Sequence, residues 1–257
     1  MIPNIMTLLG LCAGLTSMRY ALEGRFGAAV VAVLVAACID GLDGRLARLL
    51  KATSRFGAEF DSLADFCCFG VAPGFILYLW SLQTVGGFGF TPCLMFAVCM
   101  ALRLARFNAA LETEPSDRET AARHAYAYNF FTGVPAPAGA GLVLFPLFLG
   151  LEGRMLGIGW MQTLSRHPLF CAVILVVTAL LLVSTLPVWS FKNFKVPKQY
   201  VLPLLLGVGT FAAVLVADPW AALAFLGLMY AGMLPFSRRS YHRLKAAAEA
   251  GRPGESA

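Results

Sequence analysis

Residues 38–65 read CIDGLDGRLARLLKATSRFGAEFDSLAD, and they hold Asp40, Asp43, Asp61 and Asp65, four of the six aspartates in a chain of 257 residues. Apolar runs flank the stretch and overlap it: Phe26–Arg45 on one side, Gly57–Leu82 on the other. Each is long enough to cross a bilayer as a helix, which takes about 20 residues. An ionised Asp at the centre of such a helix costs at least ~2.5–3.5 kcal/mol. Four in one helical hairpin mark a site where polar chemistry offsets that cost.

The rest of the chain agrees with a membrane setting. Hydrophobic residues make up 59% and charged residues 13%, against roughly 45–50% and about 25% in soluble domains. A soluble enzyme, a disordered chain and a coiled coil are excluded on that ground. Further apolar stretches run over Ile5–Leu22, Pro92–Leu111, Gly133–Gly150, Pro168–Leu186, Val201–Val216 and Trp220–Phe236. With the two around the aspartates they predict about eight transmembrane helices in an all-α integral membrane fold. The alternation of β-barrel strands is missing. Of the 20 Lys and Arg residues, 16 fall on one side of this arrangement; Arg19, Arg25, Arg154 and Arg166 fall on the other. The positive-inside rule places the richer side, both termini and the aspartates at the cytoplasmic face of the cytoplasmic (inner) membrane. The net charge of +6 therefore predicts contact with membrane lipid and no nucleic-acid partner. The seven cysteines lie in apolar stretches without a CxxC pair, as small buried hydrophobes do. The three histidines have no ligand spacing. No cleavable signal is expected, because the first apolar stretch lacks a basic flank and contains Asn4 and Thr7.

Helical spacing sorts the acidic stretch. Asp40, Asp43, Gly44, Ala47 and Arg48 stand at offsets 0, 3, 4, 7 and 8, one stripe of a helix. Gly57, Asp61 and Asp65 are four apart, a second stripe. Two antiparallel helices turning near Lys51–Arg55 bring the carboxylates together, and their mutual repulsion requires either protons or divalent cations. An all-oxygen donor set suits hard ions such as Mg²⁺ or Mn²⁺. Gly44, Ala47 and Gly57 let helices or a ligand approach closely, and Arg48 can meet a phosphate through two N–H groups. Helix capping or pairing with Arg45, Arg48 and Arg55 would account for single aspartates. A cation or proton relay, as in a transporter, would account for all four but not for the small residues between them.

The same positions fit D-x2-D-G-x2-A-R-x8-G-x3-D-x3-D, from Asp40 through Asp65, at every fixed residue. In this the chain resembles the CDP-alcohol phosphotransferases. The opening IPNIMTLLGLCAG is similar to that family's first span. RLARFN (Arg103–Asn108) and FTGVPAPAGA (Phe131–Ala140) resemble its serine-using branch. The resemblance implies a six-helix core over residues 1–186; the last two apolar stretches then form an added hairpin over 187–236, followed by a basic cytoplasmic tail over 237–257. It implies transfer of a phosphatidyl group from CDP-diacylglycerol to L-serine with release of CMP; glycerol 3-phosphate, inositol or choline are the alternative acceptors. By the same resemblance Asp40, Asp43, Asp61 and Asp65 bind two divalent ions, Asp65 is the general base, and Gly44, Ala47, Arg48 and Gly57 cradle CDP. It also implies a homodimer. The amphipathic helix that many relatives carry before the first span is not seen ahead of Pro3.

Arg103 and Arg106, three apart at the end of the fourth span, are candidates to hold the carboxylate of serine or a phosphate, and snorkelling cations would look the same. Asn108 joins them only if the helix stops there, since it lies 200° from Arg106 on a continuous helix. The polar stretch from Glu112 to Arg123 reads as a loop. Trp80, Trp160, Trp189 and Trp220 mark span ends.

Overall fold

A computed structural model describes residues 2–49, 54–112, 130–184, 187–189 and 201–250. The stretch read as a loop beyond Glu112, the cations at 192, 195 and 198, and the last seven residues lie outside the described residues. Helix α1 (Ile2–Leu22) turns at Glu23–Arg25 into α2 (Phe26–Leu49). Gly24 makes that turn possible with φ of 72°, a conformation glycine adopts without a Cβ penalty. The third span is a compound helix, α3 (Arg55–Asp65), a π-helical turn (Phe66–Val71) and α4 (Ala72–Trp80). A 3₁₀ segment (Leu82–Phe90) leads into α5 (Thr91–Glu112).

The π turn follows Asp65 directly, and its closing bond runs from the Ala72 N–H to the Cys67 carbonyl, five residues back. Pro73 explains the wider winding: it has no N–H to donate, and in a regular helix its ring would collide with the carbonyl four residues earlier. The span expected over Gly57–Leu82 is kept as one continuous helical stretch, Arg55–Trp80, with the π turn inside it.

Four helical stretches are long and apolar enough to cross a membrane: Asn4–Leu22, Phe26–Leu46, Arg55–Trp80 and Leu82–Ala109. Two further helix pairs are apolar enough only when taken together, and each is bent. One is α6 (Ala136–Val143) with α7 (Phe145–Met155), at 44°, where Pro146 interrupts the ladder. The other is α8 (Gly159–Ser165) with α9 (Pro168–Val183), at 57°. The shorter apolar helices α10 (Val201–Ala217) and the first part of α11 (Pro219–Ala250) complete the order of apolar stretches expected from the sequence. The architecture is that of an all-α integral membrane protein. Among the described residues the only strands are Phe130–Thr132 and Pro187–Trp189, paired antiparallel with Phe131 opposite Val188.

The chain divides into two compact units, Met1–Asn108 with Pro135–Val183, and Ala109–Val134 with Ser184–Ala257. In the first, small residues on α1 bring three helices into contact. Thr7, Gly10, Gly14, Ser17 and Ala21 form one buried stripe; a Cβ on Gly10 would touch Ile39 of α2, and one on Gly14 would collide with Cys68 of the π turn. Large apolar side chains such as Leu9, Leu15, Val31, Leu94, Val98 and Leu180 point outward and are exposed, the arrangement a lipid solvent selects. In the second unit, α10 has no buried residue. Asp218 caps α11 by accepting from the Ala221 N–H at 3.3 Å, with Pro219 at the first helical position. α11 runs unbroken past Phe236 to Ala250.

Candidate active site

Three helices of the first unit supply the site. Asp40 and Asp43 come from the last turns of α2, Asp61 and Asp65 from α3, and Thr7 with Gly10 from α1. One carboxylate oxygen each from Asp40, Asp61 and Asp65 can be chosen so that all three lie within 4.8 Å of one another. The fourth acid is held separately: Thr7 donates its hydroxyl to Asp43 Oδ2 at 2.8 Å, and Asp43 is 4% exposed. The four aspartates of the two stripes thus line one cleft, together with Thr7, Gly10, Leu11, Ala36, Ala64, Cys68 and Phe69, with free space of about 10 Å³, roughly the room one water-sized sphere needs.

Local sequence explains why α3 presents its acids there. Ser54, in extended conformation, caps α3 by accepting from the Gly57 N–H at 3.0 Å. That starts the helix so that Asp61 and Asp65, one turn apart, share a face with Gly57. A Cβ at Gly57 would sit 3.1 Å from both Asn4 Oδ1 and Ser54 Oγ, so the missing side chain is used by the cap and by α1. Gly44 differs: a Cβ there would meet nothing within 4 Å, which leaves open space beside the acids. Ala47 and Arg48 belong to α2 by their backbone, and their side chains lie outside the described residues.

Like charges at these separations repel by about 3–4 kcal/mol per pair at an effective dielectric near 20. No Lys, Arg or His is among the described residues that line the cleft, so none of these supplies a neutralising charge. A hard divalent cation fits the donor set: it takes oxygen ligands at ~2.0–2.6 Å, so ligand atoms of one ion lie within about 4–5 Å of each other.

The candidate acceptor residues are placed differently from one another. α5 continues through Arg106 and Asn108, so the two look in different directions. Arg106 donates to the carbonyls of Val183, at 3.0 Å, and Leu182, at 3.5 Å, covering the open C-terminal end of α9. Asn108 Nδ2 donates to Ser62 Oγ at 3.0 Å, and the Ser62 hydroxyl is 3.1 Å from the Ala58 carbonyl. Asn108 is thereby tied to the residue beside Asp61. Arg103 is partly buried one turn before Arg106. Glu59, off the acidic stripe, is exposed.

Thr7 is the site residue that sequence reasoning missed. Its partner lies 36 positions away on another helix, and no spacing rule connects the two. The available signal was the run of small residues at 7, 10, 14, 17 and 21, which marks the face of α1 that packs inward.

Comparison with known proteins gives a consistent picture. The chain matches the family model described as CDP-alcohol phosphatidyltransferase over residues 1–165, and the one described as CDP-alcohol phosphatidyltransferase 2 over residues 199–235. It is 40% identical over 251 residues to the CDP-diacylglycerol–serine O-phosphatidyltransferase of Mycobacterium leprae, covering 97% of this chain and 78% of that one. The protein of the same name from Helicobacter pylori is 36% identical over 232 residues, covering 88% of this chain and 86% of its own. That of Bacillus subtilis is 32% identical over 158 residues, covering 62% and 81%.

Proposed function

This chain belongs to the CDP-alcohol phosphatidyltransferase family, and on that premise we propose that it transfers the phosphatidyl group of CDP-diacylglycerol to the hydroxyl of L-serine, giving phosphatidylserine and CMP. The observation that carries the reading is the convergence of Asp40, Asp61 and Asp65 within 4.8 Å on a cleft with no basic side chain among its described lining residues. The serine acceptor is supported by relatives of that name that align over most of this chain.

Asp40, Asp61 and Asp65, with Asp43 beside them, would hold Mg²⁺ or Mn²⁺, two ions in all. Bound there, divalent cations neutralise charge on the pyrophosphate and on the departing CMP. Asp65 takes the proton of the serine hydroxyl as its oxygen bonds to the phosphorus that bears the diacylglycerol, while the bond from that phosphorus to the CMP oxygen breaks. A carboxylate is a weak base for an alcohol, so in-line placement supplies much of the rate. Thr7 fixes the orientation of Asp43, Ser54 and Asn4 fix the start of α3, and the open space at Gly44 receives the nucleotide, with Ala47 and Arg48 on the same stripe. Arg103 and Arg106 meet the serine carboxylate, and Asn108 steadies α3 through Ser62. The enzyme is a homodimer of the cytoplasmic membrane with this cleft open to the cytoplasm, and its core, hairpin and tail divide at residues 186 and 236.

The test is an acceptor panel with purified protein, CDP-diacylglycerol and Mg²⁺ or Mn²⁺, reading CMP release and the lipid product. L-serine should support release far above glycerol 3-phosphate, inositol or choline. Release with another of these alone would move the chain to a different branch of the family; no release with any acceptor, together with ion flux in vesicles, would favour a transporter.

A further inference from the structure

The four cations on the side away from the aspartates do not share one fate. Arg19 and Arg25 both pair with Glu23, at 2.9 Å and 3.5 Å, and Arg25 also stacks over Tyr20. Arg154 and Arg166 make no ion pair among the described residues. Instead they line one open cavity of about 250 Å³ together with Trp80, Gly150, Gln162 and Ser165. Glu152 is the nearest acid in sequence; it sits 200° from Arg154 around α7 and is not among the lining residues.

The cavity is built from rigid parts. The Trp80 indole N–H donates to the Ser165 carbonyl at 2.8 Å, and the Arg166 guanidinium lies 4.0 Å over the Trp80 ring. Stacking uses the face of the guanidinium and leaves its N–H edges available, the geometry that suits two oxygens of a phosphate. Gln162 anchors itself by donating to the Gly153 carbonyl at 3.0 Å, which leaves its oxygen end unspent in that bond. The floor comes from the close approach at Gly150, where a Cβ would lie 2.5 Å from Ser165 Oγ and 2.6 Å from the Trp80 ring. Next in sequence to the lining residues, Met155, Leu156 and Trp160 are exposed, apolar side chains suited to the lipid boundary.

We propose that this cavity, at the end of the third span opposite the aspartates, binds the phosphate of an anionic phospholipid headgroup through Arg154 and Arg166. Two cations left together on the side where cations are disfavoured call for an anion. The exposed apolar side chains at 155, 156 and 160 favour a lipid-borne phosphate over a free one. Trp80 lies 15 residues beyond Asp65, roughly 20 Å along the helix, so this lipid is distinct from the substrate held at the acidic cleft.

Native mass spectrometry of the purified full chain in uncharged detergent tests this with phosphatidylglycerol, phosphatidylcholine and inorganic phosphate as probes. Phosphatidylglycerol should be retained about tenfold or more over phosphatidylcholine, and the variant pair Arg154→Gln with Arg166→Gln should lose that preference. Arg154→Gln alone, at an exposed position off the Trp80 stack, should lower retention about threefold to fivefold and keep CMP release unchanged, which covers the case of a double variant that does not fold. Asp40→Ala should retain the lipid as the parent does. Equal retention of the two lipids, or unchanged retention in both arginine variants, would overturn the proposal. Arginine-dependent binding of inorganic phosphate without lipid would overturn the lipid assignment.

Discussion

The two ends of the third span carry opposite chemistry on one continuous rod. At the α3 end, Asp61 and Asp65 meet Asp40 within 4.8 Å in a cleft whose walls are otherwise small, apolar or neutral. At the α4 end, Trp80 supports Arg166 beside Arg154, and the acids are elsewhere. The π turn at Phe66–Val71 separates the two. At the acidic end Thr7 donates to Asp43 from another helix, and at the basic end Trp80 is bonded to the Ser165 carbonyl and carries the Arg166 guanidinium on its ring. The acidic end asks for cations and the chemistry they support; the basic end asks for a bound anion and no chemistry. Substitutions at the two ends should therefore differ in kind, and the following outcomes would break or sharpen that contrast.

The largest effects belong to the acids. Asp65→Asn keeps shape and an oxygen but removes the proposed base, so turnover should fall by about 10²–10⁴-fold while CDP-diacylglycerol binding partly survives. Asp40→Ala should lower both turnover and binding, since a ligand is removed. Steady-state CMP release and a lipid-binding isotherm separate the two variants; near-parent turnover in Asp65→Asn would take that residue out of the base role.

Next comes Thr7. Thr7→Val deletes the bond to Asp43 at nearly constant volume, and a hydrogen bond to a charged group is worth about 1.5–3 kcal/mol, so activity should drop roughly tenfold or more. Thr7→Ser should restore it. The Mg²⁺ concentration giving half-maximal rate should rise in the Val variant and return in the Ser variant, a response that a packing defect alone would not give.

Legibility in the sequence follows the range of each interaction. The acidic stripes were readable because Asp40 with Asp43, and Asp61 with Asp65, lie three or four apart on single helices that only residues 50–53 separate in sequence. The apolar stretches likewise carried the order of the helices. Thr7 was not readable, because its contact needs the packing of α1 against α2. The π turn was signalled only by Pro73, whose demand on the preceding turn depends on the exact course of the backbone. Arg106 was read as a ligand or a snorkelling cation; its bonds to Leu182 and Val183 require knowing where α9 ends. The three-residue strand pairing is too short to leave a pattern.

A smaller effect is expected at Arg106. Arg106→Lys should raise the serine KM about fivefold, because an ammonium matches a carboxylate's two oxygens less well than a guanidinium, with the KM for CDP-diacylglycerol unchanged. A rise in the lipid KM instead would assign Arg106 to the diphosphate. The smallest effect closes the contrast: Arg154→Gln, at the opposite end, should leave CMP release within about twofold of the parent, as surface substitutions away from special contacts do.

The most direct test of the central claim is CMP release from CDP-diacylglycerol and L-serine after full chelation, followed by stepwise return of Mg²⁺ or Mn²⁺. The acidic cleft predicts no release in chelator and recovery with either ion, with Asp61→Asn requiring more metal to recover. Full CMP release in the presence of excess EDTA would contradict it.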